Sequence, residues 1–368
     1  MRVGECLYRG EVVYLFAFDL AYDTKRARIP TLLGQPLTQF SVDSSKRAPR
    51  QLSFYRPQMA RLQPLEERVG ERRVCIERNV KLLPVGAVSI TFRIPFEVHS
   101  LGELIPYHNL TFANYTLLGE ATRLAEAVRA ELSDYFIRPV QSLSEEAYTV
   151  FCFEDSLQGQ DRLTAERWLA ENRRRVAALL TQEPDIALLS EQEVEESTAR
   201  FLSYYEHDIL VVDWDAALLV DAATNFQDTL YIIELANLQL GELKAYDRIL
   251  DDALDRSYRD LSSRSLSNRN EVLGSLRELR VDLARFSDEL SNITKFFGDW
   301  HLARIYQTVS SRFHLGDWHH SLDEKLQTLD DLYEILNQDR INRWMLALEI
   351  TIVLLFIIDL IILILGLH

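Results

Sequence analysis

The sequence LALEITIVLLFIIDLIILILGL occupies residues 346–367. As an α-helix, these 22 residues would extend about 33 Å, which is enough to cross a hydrocarbon core of about 30 Å. Seventeen of them are Leu, Ile, Val or Phe, and their summed preference for lipid outweighs the cost of about 3 kcal/mol for one central carboxylate. The stretch therefore predicts a membrane-spanning helix, and we expect residues 344–368 to form a C-terminal transmembrane anchor in a lipid bilayer.

Two acidic residues, Glu349 and Asp359, lie inside this stretch. Glu349 is close enough to its start to reach the membrane interface. Asp359 lies about 20 Å along the helix, which is too deep for its short side chain to reach water. Two interpretations of Asp359 stay open. It forms hydrogen bonds with its copies in neighbouring subunits, where the assembled spans would pass or sense ions, or it is tolerated in lipid as a neutral acid.

The residues that flank the stretch predict its orientation. Arg340 and Arg343 precede it and only His368 follows it, so the positive-inside rule places the N-terminal body in the cytoplasm. The first residues, MRVGECLYRGEVVYLFAFD, lack the apolar core of a signal peptide. We therefore expect a single-pass, tail-anchored protein of the cell's inner (plasma) membrane.

Charge is distributed unevenly along the chain, whose formal net charge is −16. Residues 1–100 carry 16 Lys and Arg against 10 Asp and Glu, whereas residues 101–368 carry 24 against 46. The basic segment either contacts anionic headgroups or RNA, or consists of solvated loop charges that pair with acidic helices of the same molecule. Its loop cations are Lys25, Arg26, Arg28, Lys46, Arg47 and Arg50.

Three cysteines, Cys6, Cys75 and Cys152, are far apart in the sequence and lack the spacing of metal ligands. An odd number of separated cysteines indicates free thiols in a reducing compartment. We predict no disulfide framework.

The segment before the helical region predicts an α+β fold in two parts. The N-terminal α+β domain is predicted at 1–147, with β-branched and aromatic strands at 11–20, 74–83 and 85–98, a polar loop from Pro30 to Pro57 and an amphipathic helix from Asn114 to Ile137. A second α+β unit is predicted at 148–225. It contains the strand AYTVFCFED, a helix from Thr164 to Gln182 and the strand-rich segment FLSYYEHDILVVDWDAALLVD.

Residues 226–343 predict a helical, coiled-coil region. A helix is expected from Phe226 to about Ser262, and a connecting helix from Trp300 to Phe313. Between them, apolar residues repeat at steps of four and three, which is the pattern of a heptad seam. The members of this seam are Val272, Leu276, Leu279, Leu283, Phe286, Leu290, Ile293 and Phe297. A second seam runs from Leu315 to Leu336, and we expect the two to pack as an antiparallel hairpin. The spacing leaves open whether the seams also join subunits into a homo-oligomer.

No motif for a catalytic, cofactor-binding or metal site occurs in the sequence. His301, His314, His319 and His320 form a histidine cluster near Asp317. We interpret them as solvated histidines, and a metal site is the alternative. Four aspartates lie close together in the strand-rich segment, at positions Asp208, Asp213, Asp215 and Asp221. We interpret them as carboxylates of turns and strand edges, and a metal site is the alternative. Enzymatic activity is therefore unsupported, although a membrane-tethered enzyme or nucleotide-binding module stays open as an alternative.

Residues 148–366 resemble the "required for meiotic nuclear division" family, whose domain of unknown function ends in a C-terminal membrane span. The strand segments quoted above fit its α+β half. The resemblance in the helical half rests on Phe297, Trp300, Ile305, Tyr306, Val309, Leu322, Leu326, Leu329, Leu332, Tyr333 and Leu336, and on the pair Leu348-Glu349 that opens the apolar span. The span carries Asp359 where the family pattern has glutamate, and residues 1–147 match no family that we recognise.

This resemblance implies a self-associating membrane protein that is linked, through mitochondrial relatives, to organellar translation and ribosome tethering. The function that we expect is a tail-anchored scaffold. It would self-associate through its helical region and present a cytoplasmic α+β body to a protein partner, with RNA or a ribosome as further candidates.

Overall fold

The computed structural model describes residues 7–25, 29–39, 57–70, 72–83, 86–139, 143–154, 164–263, 281 and 300–364. The strands in chain order are β1 Tyr8–Asp19, β2 Ala21–Thr24, β3 Thr31–Leu32, β4 Gln35–Pro36, β5 Thr38–Gln39, β6 Gln58–Val69, β7 Arg72–Leu82, β8 Ala87–Val98, β9 Phe136–Pro139, β10 Glu145–Glu154, β11 Phe201–Leu202, β12 Ile209–Val212 and β13 Ala216–Asp221. The α-helices are α1 Leu117–Glu131, α2 Ala165–Leu180, α3 Glu191–Ser197, α4 Phe226–Ser263, α5 Trp300–Arg312 and α6 Leu315–Ile364. Short 3-10 helices occupy Leu101–Asn109, Ser133–Tyr135, Ile186–Leu188 and Ala223–Asn225.

One large mixed sheet forms the body. Its nine strands lie in the order β11-β12-β13-β10-β1-β8-β7-β6-β5. Neighbouring strands are antiparallel except β10 and β13, which are parallel. The sheet includes strands from both predicted α+β parts, 1–147 and 148–225. The predicted α+β class is confirmed, with helices after the sheet and one candidate apolar helix near the C-terminus.

β1 lies at the centre of this sheet. It pairs with β8 from Tyr8 to Asp19 and with β10 from Gly10 to Phe18. Gly10 is required at its position, because a Cβ atom there would lie 1.9 Å from the carbonyl oxygen of Cys152 on β10. The register of the two central strands therefore depends on a glycine that lets their backbones approach.

The first face of the sheet packs against α1 and α2 over an apolar core. Its buried side chains alternate along the strands, as a sheet with a period of two requires. They include Phe16 and Phe18 on β1, Phe92 and Ile94 on β8, and Phe151 and Phe153 on β10. Each covering helix begins at a hydroxyl cap, since the side chains of Thr116 and Thr164 accept hydrogen bonds from backbone N–H groups in the first turns of α1 and α2.

The second face of the sheet is covered by the N-terminal half of α4, and several contacts there are polar. Ser89 donates a hydrogen bond of 2.6 Å to Glu234, which also forms a buried ion pair with Lys81. Farther along the helix, Asn237 donates to the carbonyl oxygen of Glu146 at 3.1 Å. Lys244 then binds the Glu146 carboxylate at 2.7 Å. Charges of opposite sign are thus buried together, which avoids the cost of leaving one alone.

The chain divides into two compact units, Met1–Ala245 with Glu289–Asp317 and Tyr246–Asp288 with Trp318–His368. Within the second unit, the C-terminal part of α4 contacts α6, where Lys325 lies 2.7 Å from Asp247 and 2.6 Å from Asp251. The predicted helices at Phe226–Ser262 and Trp300–Phe313 are confirmed by α4 and α5. The residues of the heptad seam from Val272 to Phe297 lie outside the described residues, so the coiled-coil hairpin stays a prediction.

Strand β6 was not predicted from the sequence. Its residues QMARLQPLEERV carry Pro64 and several charges, which disfavour a strand assignment. The register of β6 against β7 shifts between Leu62 and Leu65, at the proline. A proline has no N–H to donate, so the irregularity lets the strand continue on both sides of it.

Asp19 gives the fold a dependence on pH. Burial at the end of β1 raises the pKa of Asp19 from 3.8 to about 6, although a backbone hydrogen bond with Ala21 acts in the opposite direction. The folded state therefore favours the neutral acid. The stability that this preference contributes is present below pH 3.8 and is lost as the pH rises through about 6.

We predict that Asp19→Asn, which keeps the shape of the side chain without its charge, increases the free energy of unfolding at pH 8 by about 2 to 3 kcal/mol. Near pH 4, where the wild-type side chain is largely neutral in the folded state, the two proteins should have similar stability. Urea denaturation of the full chain in detergent at the two pH values measures this. An equal difference at both pH values would contradict the assignment.

Candidate functional site

The segment Trp344–Ile362 of α6 is long and apolar enough to cross a membrane. It has 19 residues and a mean hydropathy of 2.7, and no residue in its most apolar part is buried within the protein. It is the one helix with this property among the residues that the structure describes. Its exposed side chains include Phe356 at 73% and Trp344 at 71%. Its length and apolar composition make this segment a candidate membrane span.

Glu349 and Asp359, which the sequence analysis singled out, are both exposed on this helix. They are ten residues apart, so they lie about 15 Å from each other along the helix axis. The structure places them in one segment without bringing them together.

Among the predicted loop cations, Lys25 donates a hydrogen bond of 2.6 Å to the carbonyl oxygen of Asp134. Arg26, Arg28, Lys46, Arg47 and Arg50 lie outside the described residues.

The second notable site is in the body, where the turn between β12 and β13 meets the end of α5. Asp213 closes this turn. Its backbone N–H donates to the carbonyl oxygen of Ala216 at 2.9 Å, and its carboxylate accepts from the backbone N–H of Trp214 at 2.9 Å. Tyr148 on β10 donates to the carbonyl oxygen of Asp213 at 2.8 Å. The turn is therefore fixed to the sheet by hydrogen bonds on both its main chain and its side chain.

Arg312, the last residue of α5, forms a buried ion pair with Asp213. Its guanidinium also binds the carboxylate of Glu196 at 2.6 Å. Burial lowers the pKa of Arg312, but the hydrogen bonds and charges of Asp213 and Glu196 outweigh burial and raise the pKa above its ordinary value. The guanidinium stays charged, and it attaches the end of α5 to the β12–β13 turn.

Two aromatic rings stack beside this ion pair. Trp214, which is 50% exposed, lies with its ring centroid 5.1 Å from that of His314 at an interplanar angle of 13°. Arg312 lies 5.4 Å from the Trp214 ring, which is a cation–π distance. His314 follows α5 with a φ of 52°, a left-handed conformation that histidine adopts more readily than most residues. Its Nδ1 atom lies 2.7 Å from the carboxylate of Asp317.

A surface pocket of about 630 Å³ opens along α5 next to this stack. We call it the α5 pocket. The polar side chains that line it include Arg200, Tyr306, Gln307, Ser311, His314 and Asp317. Arg200 approaches from the end of the sheet, since its carbonyl oxygen accepts a hydrogen bond of 2.9 Å from the N–H of Val212 on β12. The pocket therefore joins a sheet edge, a helix face and the start of α6.

The predicted aspartate and histidine clusters have separate local partners. Asp208 accepts hydrogen bonds from the N–H groups of Tyr204 and Tyr205 at 2.8 and 2.7 Å, and Asp221 accepts one from Ala222. His301 lies against the ring of Tyr204, at 4.8 Å between centroids. Within the described ranges, no group of three or more metal-ligating side chains comes together.

His314 and Asp317 were grouped from the sequence, but Asp213 was not connected with them. Arg200, Trp214 and Arg312 were not predicted as members of a site. Trp214 lies between two aspartates in a turn, which signals an exposed aromatic residue. Arg312 carries no such signal, because a buried ion pair between residues 99 positions apart follows only from the packing of α5 on the sheet.

Comparison with known proteins identifies the family of the body. A family model described as the N-terminal domain of uncharacterized protein MJ0711 matches residues 9–227, which is more than half of the chain. The uncharacterized protein MJ0711 of Methanocaldococcus jannaschii is 23% identical over 251 residues, which cover 68% of this chain and 75% of that protein. No solved structure matches the chain. The match covers residues 9–147 of the N-terminal segment, for which the sequence suggested no family. The resemblance of residues 148–366 to the meiotic nuclear division family stays a prediction.

The ion pair between Arg312 and Asp213 yields a prediction about stability. We expect Arg312→Met to decrease the free energy of unfolding by about 3 to 5 kcal/mol, because it leaves the Asp213 carboxylate buried without a partner. Adding Asp213→Asn should restore part of this loss, since the uncompensated charge is then removed. The measurement is a double-mutant cycle in urea.

Arg167→Met is the matched control, because Arg167 pairs with Glu171 on the surface, where the two side chains are 72% and 51% exposed. Its effect should stay within about 0.5 kcal/mol. An equally small effect of Arg312→Met would show that the buried pair does not hold α5 on the sheet.

Proposed function

This chain belongs to the family of the N-terminal domain of uncharacterized protein MJ0711, and we propose that here the α+β body of that family acts as a scaffold held at a membrane surface. The segment Trp344–Ile362 is the anchor, and the body presents the α5 pocket and the exposed Trp214 to a protein partner. The observation that carries this proposal is the exposure of every described side chain between residues 344 and 362.

The energetics of the anchor favour insertion. Each central Leu, Ile, Val or Phe contributes about −0.3 to −0.6 kcal/mol to transfer into the bilayer, whereas one buried Asp opposes it by about 3 kcal/mol. The segment Trp344–Ile362 contains thirteen residues that are Leu, Ile, Val or Phe, which together contribute about −4 to −8 kcal/mol. The favourable contributions therefore exceed the cost of Asp359, and the apolar helix is stable only when lipid covers it.

Charge in the sequence supports the proposed orientation. Arg340 and Arg343 precede the apolar segment, and basic residues next to a span favour the cytoplasmic side. The body then lies in the cytoplasm, at the inner (plasma) membrane. Cys152 is free and buried, and Cys75 is free and exposed, which suits a reducing compartment.

The proposed scaffold joins copies of the chain as well as presenting the body. The seam from Val272 to Phe297 supports self-association through its heptad spacing. The resemblance of residues 148–366 to the meiotic nuclear division family makes the translation apparatus, including RNA or a ribosome, a candidate partner. A scaffold needs no catalytic group, and its function would consist of holding this partner at the membrane.

Asp359 favours a second candidate function, an oligomer that passes or senses ions. A carboxylate in the centre of a lipid-exposed helix is costly, and such residues usually pair with one another or line an ion path. A second copy of the helix would supply the partner that Asp359 requires. In this candidate function, the assembled spans carry the activity, and the body regulates or positions them.

The anchor is tested by fractionation of cells that express the full chain. We expect the protein to stay with the membranes after extraction with alkaline carbonate, which releases peripheral proteins. The double substitution Leu354→Lys and Ile358→Lys should move it to the soluble or aggregated fraction, because each central charge adds about 3 kcal/mol to the cost of insertion.

Thr328→Lys with Asp331→Lys is the control for this experiment, since both positions are exposed on α6 outside the apolar segment. This variant should remain in the membrane fraction. Release of the unmodified chain by carbonate would refute the anchor.

The role of Asp359 is tested by crosslinking between spans in membranes. If Asp359 pairs with its copies, Asp359→Leu should reduce crosslinking severalfold while membrane insertion is retained, because interhelical hydrogen bonds in lipid contribute about 1 kcal/mol each. Glu349→Leu is the control, since Glu349 lies near the interface and should not affect crosslinking. Unchanged crosslinking in Asp359→Leu would exclude the ion-path function.

A further inference from the structure

We infer that an aromatic surface at the β11–β12 loop binds a basic segment of a protein, one that carries arginine or lysine side chains. The aromatic surface consists of Tyr204 and Tyr205 in that loop, with Trp300 and His301 at the start of α5. This inference rests on the proposed scaffold function, for which it names a second contact surface and the chemical class of the partner.

The rings of the aromatic surface contact one another and are nevertheless exposed. The ring centroids of Tyr204 and Tyr205 lie 4.7 Å apart at an interplanar angle of 86°. From α5, the ring of His301 lies 4.8 Å from that of Tyr204. Tyr204 is 51% exposed, Tyr205 is 57% exposed, and Trp300, the residue before His301, is 85% exposed. Tyrosine and tryptophan side chains of this kind are enriched in protein interfaces and supply much of their binding energy.

The loop that carries the two tyrosines is fixed by hydrogen bonds. The carboxylate of Asp208 accepts from the backbone N–H groups of both Tyr204 and Tyr205. The carbonyl oxygen of Glu206 accepts a hydrogen bond of 2.7 Å from the N–H of Ala165, at the start of α2. Because these bonds position the loop before any partner arrives, binding there costs little conformational entropy.

Three carboxylates lie at the aromatic surface itself. Glu206 is exposed within the loop, and Asp208 binds the loop backbone as described. Burial raises the pKa of Asp221, and the charge of Asp208 acts in the same direction, whereas His301 acts against it. Asp221 is therefore close both to Asp208 and to the histidine of the aromatic surface.

The wider segment around the loop is also acidic. Residues 182–221 carry eleven Asp and Glu, against Arg200 as the one Lys or Arg. Arg174 and Arg312, which lie on neighbouring helices, form ion pairs with three of these carboxylates. The segment keeps a large excess of negative charge.

Charge complementarity therefore favours a cationic occupant. A guanidinium or ammonium group binds over the face of a tyrosine or tryptophan ring, and a carboxylate beside the ring attracts the same group. The carboxylates would repel a nucleic acid. An isologous contact between two copies of the chain would place these carboxylates opposite one another, so a basic segment of another protein fits the surface better.

Binding is tested by fluorescence anisotropy with the full chain in micelles of a nonionic detergent at low salt. The probes are three labelled peptides of equal length, in which glycine alternates with arginine, with glutamate or with serine. We expect the arginine peptide to bind with a Kd below about 1 mM. The other two should bind about tenfold more weakly or not at all.

Tyr204→Ser with Tyr205→Ser should weaken binding of the arginine peptide about fivefold or more, because two cation-binding rings are lost while the net charge is unchanged. Tyr204→Phe with Tyr205→Phe keeps the rings and should retain most of the affinity. Ile249→Ser with Tyr258→Ser is the matched control, since both side chains are exposed on α4, and it should have no effect.

The contribution of charge is tested separately. Glu206→Gln should weaken binding severalfold, whereas Glu126→Gln, which removes the same charge from an exposed position on α1, should not. Equal effects of these two variants would show that the peptide responds only to net charge, and would overturn the inference.

The inference is also overturned if the serine or glutamate peptide binds as tightly as the arginine peptide, or if the tyrosine-to-serine variant binds like its control. Loss of RNA binding or of self-association in that variant would assign the surface to RNA or to a second copy instead. Carbonate extraction separates this result from the anchor. A chain that stays in the membrane but does not bind the arginine peptide refutes this inference alone, whereas release of the unmodified chain refutes the anchor.

Discussion

The pairing of β1 on both of its edges is the constraint on which the rest of the body depends. Because β8 and β10 flank β1 along nearly its whole length, neither edge of β1 is open to solvent. Both of its faces are then buried as well, since residues 12 to 18 are all inaccessible. A sheet with such a centre needs a layer on each side. Helices α1 and α2 supply the first layer, and the N-terminal half of α4 supplies the second.

The layer against the first face of the sheet is apolar, whereas the layer against the second face includes ion pairs. This difference explains which parts of the fold could be predicted from the sequence. Strands with alternating apolar residues, such as β1 and β8, and amphipathic helices such as α2 carry their periodicity in the sequence. The α+β class followed from them. Strand β6 interrupts its pattern with Pro64, and the pairing of Lys81 with Glu234 links residues 153 positions apart. Neither is a local signal, so both follow only from the assembled sheet.

The candidate site shows the same division between local and distant information. His314 and Asp317 are three residues apart, and the sequence analysis found both. Arg312 and Asp213 meet only because α5 contacts β11 and β12 at the edge of the sheet. Their ion pair positions Trp214, which in turn stacks on His314. The site is therefore a consequence of tertiary packing, and the apolar anchor, which is a continuous stretch, is the feature that the sequence displays most directly.

The central position of β1 also determines when the body can form during synthesis. Its first partner ends at Val98, but its second partner, β10, is complete only at Glu154. At about 5 to 20 residues per second, the ribosome needs on the order of ten seconds to supply it. During that interval one edge of β1, whose residues 12 to 18 are buried in the folded protein, is unpaired, which is the state in which β-strands join other chains. The nascent chain is thus open to aggregation through this edge until β10 has been made, and chaperones that bind nascent chains would protect it during this period.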